Sequence, residues 1–395
     1  MYFLITKTYP VATLIILALL GACTNNATHN VAKPMVLWSK SDTSDNNFRI
    51  PAIIVTKKNT VLAFAEGREG GDSGDIDILL KRSFDNGQTW ENQIIVWDDR
   101  KNTCGNPCPV IDQTNGRIFL FMTWNLGTDS EDKIIKKEST DTRHPYMSYS
   151  DDDGVTWSKP VNLTTTCKNP SWGWYATGPG VGIQLQSPKY KNRLVIPCNN
   201  SYDTENETEA VREGHGYGAH VLLSDDGGLN WRISEIITPG CNESQVMETN
   251  DGVLIMNMRS YNRKNCRAIS RSDDGGETWS EIEHDPQLVE SVCQAGLFKY
   301  GSFGDETLLL FSNPASPFNR THMTMKTSFD DGASWSNAKL IYEGPSAYSS
   351  ITKLPNGNIG LFFEAGDKNP YEKMVFLSFK PVALFTSGPL MKQSL

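Results

Sequence analysis

Three arginines stand in sequence contexts where a permanent charge needs a partner. Arg49 lies in the stretch FRIPAI (48–53), Arg259 ends VLIMNMR (253–259), and Arg320 ends SNPASPFNR (312–320). A guanidinium stays charged in a protein and can hold a carboxylate through two parallel hydrogen bonds. Each arginine alone fits a structural ion pair, whereas three in separate segments also fit a shared site for one carboxylate.

Other residues have side chains suited to nucleophilic or acid–base chemistry. Tyr348 lies in GPSAYSS (344–350) and Glu243 in CNESQ (241–245), and each alone fits an ordinary core aromatic or loop acid. The stretch GGDSGDID (70–77) offers Asp72, Asp75 and Asp77. We expect Asp75 and Asp77 to be structural because they lie at the start of a strand, whereas Asp72 lies in the glycine-rich loop.

One short pattern, S-x-D-x-G-x-[T/S/N]-W, predicts the turns that position these residues. Its five copies, called Asp boxes below, are SFDNGQTW (83–90), SDDDGVTW (150–157), SDDGGLNW (224–231), SDDGGETW (272–279) and SFDDGASW (328–335). In such a box the Asp accepts backbone N–H bonds across a tight turn, the Gly supplies a positive φ and the Trp packs on the neighbouring sheet. We expect the boxes to close β-hairpins, because they lie too far apart to converge on calcium or another ligand.

The spacing of the boxes predicts the architecture. Their aspartates, at positions 85, 152, 226, 274 and 330, are separated by 67, 74, 48 and 56 residues. Repeats on this scale, between short strands, indicate an all-β fold, a six-bladed β-propeller over residues 36–385 with a C-terminal tail at 386–395. Five blades carry an Asp box, and the sixth is expected to form when residues near 36 pair with residues 375–385.

The first 35 residues have a different character. Lys7 precedes an apolar run at 11–20, which is too short to span a membrane as a helix, and LGAC follows at 20–23. This pattern is typical of a bacterial lipoprotein signal, and an ordinary secretory signal is the alternative. We expect a signal peptide at 1–22, a lipidated Cys23 and a tether to residue 35. These features predict an exported, membrane-anchored lipoprotein in the periplasm or on the cell surface.

Composition excludes some partners. The net charge of −9, from 37 basic and 46 acidic residues, argues against nucleic acid, since phosphate binding needs a basic surface. The seven cysteines beyond Cys23 are scattered and lack a matching His/Cys pair, so buried thiols are expected rather than a zinc site. The sequence calls for no metal and no organic cofactor.

In their order along the chain, the FRIP stretch, the five Asp boxes and the arginines resemble the exo-sialidases (neuraminidases) of the bacterial, trypanosomal and animal type. The resemblance covers roughly residues 36–385 and implies a six-bladed propeller that hydrolyses terminal sialic acid with retention. Arg49, Arg259 and Arg320 would then grip the carboxylate of the sugar. The partner of Arg49 is accordingly expected to arrive with the substrate.

The resemblance also implies catalytic roles. Tyr348 matches the family's nucleophile, and Glu243 matches the glutamate that is paired with it as a base. Sialidases are the exception among glycosidases in using a tyrosine, and a neutral phenol avoids repulsion by the sugar carboxylate. Asp72 is favoured over Asp75 as the acid/base that protonates the leaving oxygen and then activates water.

The resemblance assigns the residues of the sugar-binding pocket less completely. Arg68 matches a family arginine near the 4-hydroxyl, and Asn106 stands where several members have an aspartate. Trp174, in WGWY (172–175), fits either an apolar pocket for the acetyl methyl or ordinary propeller packing. The expected partners are sialylated glycans, glycoproteins or glycolipids, bound by a monomer that contacts the membrane only through its lipid anchor.

Two related functions use the same residues. A trans-sialidase would share the catalytic groups and add a platform of exposed aromatics for the acceptor. A non-catalytic sialic-acid-binding propeller would lack the tyrosine, the glutamate or the loop aspartate, and none of these is missing. A purely structural Asp-box propeller would lack the three arginines. Hydrolysis is therefore the favoured hypothesis.

Overall fold

The computed structural model describes residues 34–40 and 47–391, and these are built almost entirely from β-strands. In chain order the strands are β1 (Met35–Ser39), β2 (Asn47–Val55), β3 (Val61–Arg68), β4 (Ile76–Ser83), β5 (Ile94–Trp97), β6 (Thr103–Ile111), β7 (Ile118–Asn125), β8 (His144–Ser150), β9 (Val161–Asn162), β10 (Tyr175–Thr177), β11 (Ile183–Gln184), β12 (Leu194–Asp203), β13 (Val211–Arg212), β14 (His215–Ser224), β15 (Arg232–Ile233), β16 (Cys241–Glu248), β17 (Leu254–Ser260), β18 (Cys266–Ser272), β19 (Glu283–Val289), β20 (Gly296–Phe303), β21 (Glu306–Pro314), β22 (Thr321–Ser328), β23 (Ser336–Lys353), β24 (Ile359–Ala365) and β25 (Lys373–Phe379). The helices are α1 (Glu131–Ile135), α2 (Thr164–Cys167) and two 3-10 turns, Pro188–Tyr190 and Pro381–Phe385. Within these ranges no helix is long and apolar enough to cross a lipid bilayer.

The strands form six antiparallel blades of four, which confirms the predicted fold class. Blade one is β2–β5 and blade two is β6–β9, while blade three pairs β10 and β11 with β12, followed by β14 and β15. Blade four is β16–β19, and blade five is β20–β22 with the first half of β23. Blade six is the second half of β23 with β24, β25 and β1. Strand β2 contacts β6 and β23, and β20 contacts β16 and β23, so the blades close into a ring.

The ring closes where the two ends of the described chain meet. Strand β1 pairs antiparallel with β25, Met35 opposite Phe376 and Ser39 opposite Lys373, as the sequence predicted. Trp38 packs its ring 6.3 Å from that of Phe48 and thereby joins blade six to blade one. The predicted leader, Cys23 and most of the tether lie outside the described residues.

Every Asp box forms the predicted turn between the third and fourth strands of its blade. In the fourth box the carboxylate of Asp274 accepts the backbone N–H of Thr278 at 3.0 Å and hydroxyl protons from Thr278 at 2.6 Å and Ser272 at 2.8 Å. Gly276 takes φ +95° in this turn, a conformation that other residues rarely adopt. Trp231 of the third box packs edge-on against Phe121 of blade two at 4.6 Å. The boxes therefore act as turns and as contacts between blades.

The cysteines of the described ranges are all buried free thiols, as predicted. Burial raises the pKa of the Cys241 thiol to about 12 and that of Cys167 to about 11, so neither ionises at neutral pH. The thiols therefore act as small apolar side chains of the blade cores.

Replacing Asp274 by alanine is expected to lower the free energy of unfolding by about 1–2 kcal/mol, because several turn bonds are lost. Desolvation acts to raise the pKa of Asp274, but the bonds from Thr278 and Ser272 hold it below its ordinary value. The stabilisation is therefore complete above the unfolded pKa of about 4 and fades as pH falls through the folded pKa. Urea unfolding at pH 7 and pH 3 measures both effects.

Asp273→Ala is the matched control, because Asp273 is the exposed neighbour at the variable position of the same box. Equal losses of stability in the two variants would contradict the turn's role.

Candidate active site

The nine predicted site residues meet in a single cavity of about 360 Å³ at one end of the ring. They are Arg49, Arg68, Asp72, Asn106, Trp174, Glu243, Arg259, Arg320 and Tyr348. Each of the six blades supplies at least one of them, so the cavity exists only when the ring is closed. Neither Asp75 nor Asp77 is among the lining residues, in keeping with the structural places predicted for them.

Four inner strands carry a bulge at this end, and each bulge presents a site residue. One extra residue lies between the paired positions Arg49 and Ala52 in β2, Gly105 and Cys108 in β6, Cys241 and Ser244 in β16, and Ser346 and Ser349 in β23. The site residues at these bulges are Arg49, Asn106, Glu243 and Tyr348. A bulge breaks the alternation of side chains and re-aims one of them, here toward the axis of the ring.

Arg49 already has a protein partner, Glu364, so the expectation that its partner arrives with the substrate was wrong. Its Nε donates to Glu364 Oε1 at 2.9 Å and its Nη2 to Oε2 at 3.2 Å. Glu364 lies in the fully buried strand β24 and also accepts the backbone N–H groups of Ile50, at 2.8 Å, and Tyr348, at 3.1 Å. One carboxylate thus fixes both Arg49 and the backbone beneath Tyr348.

Three guanidinium groups surround the Tyr348 side chain. The Cζ atoms of Arg49 and Arg320 lie 4.9 Å and 5.5 Å from the centre of its ring, and Arg259 Nη1 donates to its hydroxyl at 3.1 Å. Arg320 is oriented by the hydroxyl of Tyr371 at 2.8 Å. This clustering of cations around one tyrosine favours an anionic ligand above it.

Tyr348 and Glu243 form a close pair. The phenol hydroxyl lies 2.6 Å and 2.7 Å from the two carboxylate oxygens of Glu243, and Arg259 bonds to the same carboxylate at 2.7 Å. Burial and the charge of Glu243 raise the pKa of Tyr348 well above its ordinary value, against the opposing effect of the arginines. The phenol is therefore neutral at physiological pH, with an acceptor for its proton in direct contact.

Asp72 stands at the open side of the cavity, on a loop that ends at β4. Its side chain is 81% exposed, and its Oδ1 accepts from Arg68 at 2.5 Å and from Arg49 at 3.4 Å. Partial desolvation acts to raise the pKa of Asp72, but the positive charges of Arg68 and Arg49 hold it below the ordinary value. Asp72 is consequently a carboxylate held by two cations.

The wall of the cavity next to Asp72 is a chain of polar contacts. Glu66 bonds to Arg68 at 2.6 Å and to the backbone N–H of Asn106 at 2.6 Å. The Asn106 amide oxygen accepts from Arg143 at 2.5 Å. The Arg143 guanidinium lies 4.2 Å from the centre of the Trp174 ring, and burial lowers the pKa of Arg143 to about 10.

Several residues of the site were missed from the sequence. They are Glu66, Glu131, Arg143, Asn199, Tyr261, Glu364 and Tyr371, all but Glu364 lining the cavity itself. Glu66 lies two residues before Arg68 in β3, and this period of two could have placed both on one face. Glu131 accepts a hydrogen bond from Tyr217, and burial raises the pKa of Glu131. Glu131 and Tyr217 lie 86 positions apart in the sequence, and no local pattern predicts their contact.

Comparisons with known proteins identify relatives of this chain. Residues 59–361 match the family model described as BNR repeat-like domain. The chain is 33% identical to an exo-alpha-sialidase of Aspergillus fumigatus, over 87% of this chain and 86% of the fungal protein. It is 30% identical to sialidases of Bacteroides fragilis and Micromonospora viridifaciens, covering 82% and 81% of this chain but only 61% and 50% of those proteins.

Solved structures show the same fold. The Hadza microbial sialidase Hz136 superposes with a TM-score of 0.75 at 30% identity, over 86% of this chain and 66% of that one. A leech intramolecular trans-sialidase superposes with a TM-score of 0.73 over 89% of this chain and 71% of that one. At 20% identity, the leech likeness bears on the fold alone.

Changing Glu364 to glutamine is expected to lower the free energy of unfolding by about 3–5 kcal/mol, because the buried Arg49 cation loses its counter-charge. Chemical denaturation at neutral pH measures this change. Glu281→Gln, at an exposed glutamate outside the cavity, serves as the control and should be neutral. A stability loss at Glu364 no larger than the control's would show that the ion pair does not hold the site together.

Proposed function

Because this chain belongs to the sialidase family that carries BNR repeats, we propose that it is an exo-sialidase, a glycoside hydrolase that releases terminal α-linked sialic acid from glycoconjugates. The observation that carries the proposal is the contact of the Tyr348 hydroxyl with Glu243, at 2.6 Å, within a cluster of three arginines. The names of its relatives, sialidase and exo-alpha-sialidase, support the same activity.

The arginines bind the carboxylate of the substrate. Arg49, Arg259 and Arg320 approach Tyr348 from blades one, four and five, so a carboxylate above the phenol ring contacts all three. The bond from Arg49 to Glu364 holds the guanidinium in place, which reduces the reorganisation needed on binding. The anomeric carbon, which carries this carboxylate, then lies beside the Tyr348 oxygen.

In the first step the Tyr348 oxygen forms a bond to the anomeric carbon while the bond to the glycosidic oxygen breaks. The phenol proton passes to Glu243, and Asp72 gives its proton to the departing alcohol. Arg259 stabilises the phenolate as it develops, through its bond to the same oxygen. The product of this step is a sialyl-tyrosine intermediate in which the phenol oxygen is bonded to C2 as an aryl ketoside, with the configuration inverted.

In the second step Asp72, now a carboxylate, takes a proton from water, whose oxygen attacks the anomeric carbon. The bond to Tyr348 breaks, and Glu243 returns its proton to the phenolate oxygen. Two inversions give overall retention. Asp72 lies on the exposed loop at the open side of the cavity, where both the leaving alcohol and the incoming water have access.

Asp72 must gain a proton before it can act as an acid. Without a bound anion to offset their charge, Arg68 and Arg49 hold its pKa below the ordinary value. When the substrate carboxylate engages Arg49, part of the positive charge that favours ionised Asp72 is neutralised. The pKa of Asp72 therefore rises on binding, which supplies the acid at the moment it is needed.

We also propose that Cys23 carries a lipid that anchors the protein to a membrane. The support is the sequence LGAC at 20–23 after the apolar run. Cells producing the full chain or Cys23→Ser, labelled with a radioactive fatty acid, test the proposal. Label in the parent but not in the variant is expected, and equal labelling of both would contradict it.

Tyr348→Phe is expected to lower kcat for 4-methylumbelliferyl α-sialoside by at least about a thousandfold, because phenylalanine offers no nucleophile. Circular dichroism checks that the variant is folded. Tyr190→Phe, at a tyrosine that does not line the cavity, is the control and should keep full activity. Mass spectrometry of the products separates free sialic acid from a sugar transferred to an acceptor. Full activity in Tyr348→Phe would refute the mechanism.

The pH dependence is expected to reveal the rise in the pKa of Asp72. Since kcat/KM reports the free enzyme and kcat the complex, the alkaline limb of kcat should lie at higher pH than that of kcat/KM. Asp72→Asn should remove this limb and lower kcat about 10²–10⁴-fold on a natural glycan. Asp75→Asn, in the same loop, should leave both profiles unchanged. Coincident limbs in the parent enzyme would contradict the coupling.

A further inference from the structure

Asn199 is a buried side chain in the cavity for which the proposed mechanism has no use. It lies in β12, is 1% exposed and lines the same cavity as Tyr348. Within the described ranges neither its amide oxygen nor its amide nitrogen has a hydrogen-bond partner. Buried amides are nearly always paired, because leaving one unpaired is costly. An unpaired amide in a binding cavity points to a ligand that completes it.

The neighbours of Asn199 cannot supply that partner. The residues opposite it are Ala176 in β10 and Ala219 in β14, and opposite residues of antiparallel strands share a face. Ala176 lines the cavity too, next to Trp174, whose backbone N–H is held by Ser201 at 2.8 Å. Ala176, Trp174 and the Asn199 amide together line one recess of the cavity.

The position of the recess indicates which part of the sugar enters it. Tyr348 belongs to blade six and Asn199 to blade three, and in a ring of six blades these stand opposite each other. In a sialic acid ring the anomeric carbon, C2, and C5 are likewise opposite. With C2 at Tyr348, the acylamino group on C5 is directed toward blade three. This step rests on the proposed function, which sets C2 at Tyr348.

We propose that Asn199 reads the acyl group on C5 and makes the enzyme prefer sialic acids in which that group ends in a hydroxyl, the N-glycolyl form. A glycolyl hydroxyl donates to the amide oxygen of Asn199 and accepts from its amide nitrogen, so both unpaired atoms are satisfied. An acetyl methyl group does neither and leaves the amide buried and unpaired. Asn199 is thus a specificity-determining residue.

The deciding experiment compares kcat/KM of the parent enzyme for 4-methylumbelliferyl α-sialosides of the N-glycolyl and N-acetyl forms, which differ by one oxygen atom. A site built around a substrate hydroxyl discriminates strongly against the analogue that lacks it, and we expect at least about a tenfold preference for the N-glycolyl form. Equal values, or a preference for the N-acetyl form, would overturn the proposal.

Variants show whether Asn199 is responsible. Asn199→Leu, of similar volume but without polar atoms, should bring the ratio to one or below, mainly by losing activity on the N-glycolyl substrate. Asn200→Leu is the matched control: Asn200 is the buried neighbour in β12, but its amide bonds to His220 at 2.9 Å. Its ratio should stay that of the parent. An unchanged ratio in Asn199→Leu would also overturn the assignment.

The proposal and the proposed function fail in different ways. If the parent cleaves neither sialoside, the hydrolase function is lost, and calorimetric binding of the two free sialic acids still tests Asn199. Tighter binding of the N-glycolyl sugar by the parent, lost in Asn199→Leu, supports the assignment. Equal binding of the two sugars refutes it.

Discussion

The active site depends on one buried carboxylate, that of Glu364. It neutralises Arg49, and it accepts the backbone N–H groups of Ile50 and Tyr348. These partners come from blade one and blade six, so the bond network also crosses the point where the ring closes. A buried ion pair is costly to assemble and more costly to break. Glu364 therefore ties the position of the nucleophile to that of the cation that binds substrate.

The remaining groups of the site follow a division of charge. On the side of Tyr348, three arginines gather around an aromatic ring, and Glu243 stands ready for one proton. On the far side, Glu66 and Arg143 hold Asn106 in place, and the Arg143 guanidinium lies against the Trp174 ring. Such a cavity suits a sugar with a carboxylate at one end and an acylamino group at the other. Because every blade contributes residues to the cavity, activity requires a closed ring.

The features that could be predicted from the sequence are those determined by residues close together in it. The Asp boxes are self-contained turns, and Tyr348, Glu243 and the three arginines stand in recognisable short motifs, so the fold and nine lining residues could be predicted. Glu364 could not, because it sits in an ordinary buried strand and its partner Arg49 is 315 positions away. Asn199 likewise reads as part of the core of β12, and only the cross-strand alanines reveal that its amide lacks a partner. The contacts that could not be predicted are those between segments far apart in the sequence.

The four bulged inner strands have a consequence for how such a site changes over generations. Each bulge holds one residue more than the strand beside it, and the extra residue turns Asn106, Glu243 or Tyr348 toward the cavity. Deleting that residue would restore regular alternation and rotate the functional side chain to the other face of the blade. Insertions and deletions of a single residue are therefore far more damaging here than most substitutions. Selection therefore constrains the number of residues in these segments more strictly than their residue types.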